Sequence, residues 1–153
     1  MGLIACYAGS FDPVTRGHEN IALRAASLFS ELVVAVGENS DKRPFFPLEQ
    51  RLQWLNECFA GVPNIRVVSY RGLTVDLCRQ CGAKVLVRGV RSLADYEQEQ
   101  NVAAVNRILA PDIETLLLFT SDELAHVSST NAREILKNGG DVSAFIPSSI
   151  KIR

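Results

Sequence analysis

The sequence predicts an α/β fold, a doubly wound five-stranded parallel sheet with helices on both faces. Three observations lead there. Five short, largely apolar runs of strand length recur along the chain. Amphipathic stretches of helical period separate them. No repeat, linker or low-complexity segment interrupts the 153 residues, a length suited to a single domain spanning residues 1–153. Strands separated by helices pair in parallel through right-handed crossovers, which buries the sheet on both sides.

The elements follow in order. Leu3 to Ala8 is a continuous apolar run ending at Gly9, as a strand buried on both faces should read. Gly17 to Phe29 places Ile21, Ala25, Leu28 and Phe29 on one side of a helix. Leu32 to Gly37 is a second buried strand, and Glu38 to Pro47 a polar loop. Leu48, Leu52, Leu55 and Phe59 recur at helical spacing. Ile65 to Ser69 reads as a strand, Thr74 to Cys81 as a short helix, and Lys84 to Val87 as a strand stopping at Arg88-Gly89. Ser92 with Asp95 makes a capping-box-like start for a helix reaching about Leu109. Ile113 to Phe119 is the fifth strand, and Thr130 to Lys137 a helix closed by Gly139-Gly140.

Composition narrows the function classes. A formal net charge of −1 gives no reason to expect nucleic acid as a partner. No apolar run reaches the roughly 20 residues that cross a bilayer, and the N-terminus lacks the pattern of a signal peptide, so a cytoplasmic location and no membrane partner are expected. Cys6, Cys58, Cys78 and Cys81 are expected as free thiols. Cys78 and Cys81 form C-x-x-C without a second pair or a nearby His, and their helical spacing reads as packing rather than zinc binding.

In open α/β sheets ligands collect at the carboxyl ends of the strands, near the switch in strand order. That rule selects Gly9–Gly17, Glu38–Pro47, Tyr70–Thr74, Arg88–Ser92 and Thr120–Ser129 as the lining of one site. Gly9 lets the backbone turn tightly after the first strand. His18 opens a helix, where free N–H groups and the dipole favour an anion. Alone it would be a helix cap. Val127-Ser128-Ser129-Thr130-Asn131-Ala132-Arg133 opens a late helix with short hydroxyl side chains that cap it and bond phosphate oxygens. Lys42, Arg88 and Arg91 are expected in loops after three different strands, which the fold can bring together. A long charged side chain ending a buried strand, as at Arg88, needs a partner. Glu49, Arg51, Glu57 and Glu114 read as solvated surface charges or weak ion pairs.

Thr15-Arg16-Gly17-His18 after the first strand resembles the T/H-x-G-H motif of the nucleotidyltransferase superfamily, and the serine turn matches its second signature. Arg88-Gly89-Val90-Arg91-Ser92-Leu93-Ala94-Asp95-Tyr96-Glu97-Gln98-Glu99, continued by Asn106-Arg107, resembles the phosphopantetheine adenylyltransferases in particular. Asp41-Lys42-Arg43-Pro44 and Leu48-Glu49-Gln50-Arg51 resemble that family in spacing. The likeness covers nearly the whole chain. It departs in three places: Ser10 stands where threonine is common, Leu124-Ala125-His126 replaces a more aromatic and hydroxyl-bearing segment, and the chain stops soon after Pro147, so a final helix is expected short or missing.

The resemblance implies the Rossmann-like nucleotidylyl transferase fold and transfer of AMP from ATP to 4'-phosphopantetheine. Dephospho-coenzyme A and pyrophosphate result, by direct in-line attack without a covalent enzyme intermediate, as the penultimate step of coenzyme A biosynthesis. It implies catalytic roles for His18, Lys42 and Arg91. ATP would be held by Ser10, Phe11, His18, Gly89, Val90, Arg91, Glu99, Leu124, Ala125, His126, Val127, Ser128, Ser129 and Thr130. Phosphopantetheine would be held by Ser10, Lys42, Thr74, Arg88 and Asn106. Magnesium is expected on the ATP phosphates with few or no protein ligands. A homohexamer and feedback inhibition by coenzyme A are further expectations from the family.

Three other readings stand beside it. A nicotinamide mononucleotide adenylyltransferase carries similar loops, but the Arg88–Glu99 stretch and the short length favour pantetheine. A non-catalytic nucleotide sensor on the same fold would lack the full set His18, Lys42, Arg88 and Arg91. An assembly role would use apolar surface, with Trp54, Phe45 and Phe46 either between subunits or at the edge of the core.

Overall fold

The computed structural model describes residues 2–152; Met1 and Arg153, the ends of the predicted domain, lie outside them. Five strands alternate with five helices: β1 (Ile4–Gly9), α1 (Arg16–Ala26), β2 (Glu31–Gly37), α2 (Leu48–Cys58), β3 (Ile65–Tyr70), α3 (Thr74–Cys81), β4 (Val85–Val90), α4 (Leu93–Leu109), β5 (Glu114–Phe119) and α5 (Ser129–Lys137). Every pairing is parallel and the order is β3-β2-β1-β4-β5. The chain runs outward from β1 to β3, then returns to lay β4 against β1. The switch in strand order therefore falls between β1 and β4, beside Gly9 and Arg91.

Alternate residues of the strands feed two apolar layers, as a period of two requires. Ala5, Tyr7, Leu32, Val34, Val36 and Val87 pack with Ile21 of α1, Leu55 of α2 and Ala132 of α5. Cys6, Val33 and Leu86 face the other way, toward Val75 and Cys78 of α3. All four cysteines are free, and Cys6 and Cys78 are buried packing residues. Trp54 also belongs to the core, 7% exposed and edge-on to Phe46 at 4.7 Å, which answers the question of its placement.

Two boundaries differ from those the sequence predicts. Helix α1 ends at Ala26, so Leu28 lies beyond it and is exposed. Residues 141–152 form turns without a helix, in line with the expectation that a final helix is short or missing, and Val142, Ile146 and Ile150 are buried in the main core. The largest correction concerns β4, which continues through Arg88, Gly89 and Val90 because β5 runs alongside and pairs them with Leu117, Leu118 and Phe119. Arg88 is thus a strand residue and Arg91 follows the same strand. Lys42, Arg88 and Arg91 come from two strand ends, not three.

Helix α4 stands apart. Of its 17 residues only Glu99 is buried, while Leu93, Val102, Val105 and Ile108 are exposed. No helix among the described residues is long and apolar enough to cross a membrane.

Candidate active site

The loop after β1 is fastened on every side. Both carboxylate oxygens of buried Asp12 accept backbone N–H groups, from Phe45 at 2.7 Å and Phe46 at 2.9 Å. Arg51 donates to the carbonyls of Phe46 and Ser10 at 3.0 and 2.9 Å. It is 5% exposed, which corrects its reading as a solvated surface charge. Arg133 of α5 donates to the Asp12 carbonyl at 2.8 Å, and the Ser129 hydroxyl to that of Pro13 at 2.7 Å. Within this frame Phe11 takes a φ of +46°, a left-handed conformation rare for a large side chain. Its buried ring meets Tyr7 and His18 edge-on at 5.4 and 4.9 Å.

His18 is both cap and cavity wall. Thr15 is the N-cap of α1, and its hydroxyl accepts the His18 N–H at 3.3 Å while its own N–H donates to His18 Nδ1 at 3.0 Å. A nitrogen that accepts cannot carry the proton, so the neutral ring holds its hydrogen on Nε2. Burial first, then the positive charges of Arg88 and Arg91, lower its pKa from 6.5 to about 4. A neutral N–H donor results at neutral pH.

Arg88 finds its partner within the chain. Its Nε and Nη2 grip the two carboxylate oxygens of Glu99 at 2.9 and 2.8 Å, and Nη1 donates to the Ala8 carbonyl. Burial works against the guanidinium charge, but the bond to Glu99 and its negative charge outweigh that and raise the pKa. Glu99, expected at ATP, has its carboxylate engaged by Arg88 instead.

These groups line a cavity of 510 Å³ at the carboxyl ends of β1 and β4. Ser10, Phe11, His18, Lys42, Arg88, Gly89, Arg91, Glu99 and Val127–Thr130 all border it. Gly89 matters as a close approach: a Cβ there would sit 3.1 Å from Ile21 Cγ1. Val90 is buried behind this wall. Leu124, Ala125 and His126 are not among the lining residues. They form a short 3₁₀ turn and its exit, and Arg91 reaches only the Ala125 carbonyl, at 3.4 Å. Thr74 and Asn106 border an adjoining cavity of 210 Å³ that shares Ala8, Gly9, Arg88 and Glu99 with the first.

The opening of α5 behaves as its hydroxyls suggest. Ser128 is the N-cap and accepts from Asn131 N at 3.1 Å, and Gly139 and Gly140 close the far end with bonds to Leu136 and Ile135 carbonyls. Helix α4 starts on Ser92, which accepts from Asp95 N at 3.2 Å; Asp95 in turn accepts from Arg91 N at 3.0 Å. Three cavity-side residues with charged or amide side chains escaped the sequence reading: Arg133, Asp95 and Gln98. Arg133 was within reach, since it closes the serine turn at the i+3 position from Thr130.

Residues 6–135 match the cytidylyltransferase-like family. A phosphopantetheine adenylyltransferase from Paraburkholderia phymatum is 46% identical over 99% of this chain and 90% of its own length. Its counterpart from Ralstonia pickettii is 46% identical over 97% of this chain and 89% of its own length. Among solved structures, a bifunctional NMN adenylyltransferase/ADP ribose pyrophosphatase from Francisella tularensis superposes with a TM-score of 0.74 at 16% identity, covering 98% of this chain and 46% of its own. A lipopolysaccharide core biosynthesis protein from Thermoplasma volcanium gives 0.57 at 20% identity, covering 79% and 98%. At such identities these last two speak for the fold alone.

Proposed function

The chain belongs to the cytidylyltransferase-like family and, within it, to the phosphopantetheine adenylyltransferases, and from that membership we propose that it transfers AMP from ATP to 4'-phosphopantetheine, releasing dephospho-coenzyme A and pyrophosphate. The observation that carries the choice of acceptor is likeness to these enzymes along nearly the whole chain, at 46% identity. A nicotinamide mononucleotide acceptor has only a shared fold in its favour.

The chemistry asks little of a base. A phosphate monoester has a second pKa near 6 and is largely ionised at pH 7. What remains is to hold two anions in line and to stabilise charge on the α-phosphate as it transfers. Neutral His18 offers its Nε2–H for that purpose, and Lys42 and Arg91 offer positive charge from the same cavity wall. Ser10, Gly89 and the backbone N–H groups opening α5 surround the ATP phosphates in this reading. Arg88, presented by Glu99 at the boundary of the two cavities, meets the acceptor phosphate, with Thr74 and Asn106 along the acceptor's path. Attack is direct, and no covalent enzyme intermediate forms.

Magnesium would be supplied with the ATP phosphates and would offset part of their charge. Among the described residues no group of three His, Cys, Asp or Glu is placed to hold a metal, and the two acids lining the cavity, Asp95 and Glu99, are engaged by Arg91 and Arg88. That suits an ion carried by substrate.

Three further parts of the reading follow: a cytoplasmic enzyme of coenzyme A biosynthesis, feedback inhibition by coenzyme A, and a homohexamer. The exposed apolar residues of α4, with Phe119 at the end of β5, supply surface for self-assembly. The deciding experiment incubates the protein with ATP, magnesium and phosphopantetheine. Dephospho-coenzyme A and pyrophosphate should form in equal amounts; product with nicotinamide mononucleotide and none with phosphopantetheine would sink the assignment.

A further inference from the structure

A second cavity, of 560 Å³, lies against the first and shares Ser10, Lys42 and Arg133 with it. Its most unusual feature is Arg51. The side chain is 5% exposed and donates to two backbone carbonyls, yet no carboxylate pairs with it among the described residues. A guanidinium removed from water with neutral partners alone keeps its charge uncancelled. Two acids also border the chamber, and both are engaged elsewhere: Asp12 by the amides of Phe45 and Phe46, Glu38 by Arg71 at 3.3 Å. Arg43 and Lys137 complete the rim, exposed and without ion-pair partners among the described residues.

Helix α5 connects the two chambers. Thr130, Arg133 and Lys137 fall at i, i+3 and i+7 and share one face. At a rise of about 1.5 Å per residue they span about 10 Å, from the wall of the first cavity to that of the second. Positive side chains thus line both cavities along this face, Arg133 in each and Lys137 in the second.

The geometry points to the second cavity as a diphosphate-binding chamber, which receives the pyrophosphate leaving group on its way out. The inference rests on the adenylyl-transfer reading for the identity of its ligand. Clefts lined by one sign of charge focus their field and concentrate the opposite ion. Arg133 and Lys42 contact both chambers, so they hand the departing anion from the reaction site to Arg51, Arg43 and Lys137. Release then proceeds along α5 toward Lys137.

The test uses the full chain with Arg43→Ala and Lys137→Ala combined, two exposed positions outside the reaction cavity. Inorganic pyrophosphate with magnesium is titrated calorimetrically into wild type and variant, and ATP in parallel. Pyrophosphate affinity should fall roughly tenfold, the loss of about one charge-assisted contact. ATP affinity and the single-turnover rate of dephospho-coenzyme A formation should stay unchanged. Unaltered pyrophosphate affinity would overturn the proposal, and so would a parallel fall in ATP affinity, since the rim would then belong to the ATP site. Wild-type protein that forms no dephospho-coenzyme A would count against the enzyme reading instead, and the pyrophosphate titration would still decide on the chamber.

Discussion

Arg88 and Glu99, eleven residues apart, meet as a two-pronged pair with Nε to Oε2 at 2.9 Å and Nη2 to Oε1 at 2.8 Å. A strand residue and a helix residue thereby cancel each other's charge at the boundary of two cavities. The geometry also fixes which way the guanidinium faces.

Glu99→Ala leaves that guanidinium with the Ala8 carbonyl as its remaining partner in the chain. Because the Arg88 side chain is still 37% exposed, water softens the loss, and stability should fall by about 1–3 kcal/mol in urea unfolding. Arg88→Ala should raise KM for phosphopantetheine more than KM for ATP. An equal rise for both substrates would remove Arg88 from the acceptor site.

His18→Ala should lower turnover by roughly two to three orders of magnitude while ATP affinity changes little. The same change removes half of a capping box, so stability should drop by about 1 kcal/mol as well. Calorimetric ATP titration separates the two effects. Near-normal turnover in a folded variant excludes His18 from the chemistry.

The lowered pKa of His18 has a definite sign. With a folded value of about 4 against 6.5, the unfolded chain binds the extra proton first as pH falls. Its contribution to stability is complete above about pH 6.5 and is lost between there and about pH 4. Nitrogen-15 shifts of the ring should report a neutral imidazole with the proton on Nε2 at pH 6. A charged ring at that pH would contradict the hydrogen bond from Thr15 N.

Asp12→Ala removes the acceptors for two backbone amides at the base of the loop that carries Lys42. Hydrogen exchange at Phe45 and Phe46 should accelerate by more than tenfold, with stability lower by about 2 kcal/mol. Unchanged protection at both amides would show that the carboxylate does not hold the loop.

Strands read clearly wherever burial on both faces made them continuously apolar, as in Ile4–Gly9 and Glu31–Gly37. The end of β4 was illegible because a charged residue and a glycine look like a loop, and their partners arrive from α4 and β5. Arg51 misled for a related reason: its acceptors are carbonyls, which leave no mark in the identity of a residue. His18 was legible as a helix-opening histidine, but its tautomer depends on a bond to Thr15 that spacing alone does not specify. Arg133 stood in plain view within a quoted motif and still required the cavity to give it a place.

The stitches between the first loop and α5 join residues 116 and 121 positions apart, and Arg16 reaches Ile146 across 130. A ribosome making this chain would complete all five strands before Ser129 and Arg133, which bond the Pro13 and Asp12 carbonyls, had emerged. The sheet therefore has the means to form first, and the reaction chamber acquires its final shape only when Ser129, Arg133 and Ile146 return to the first loop.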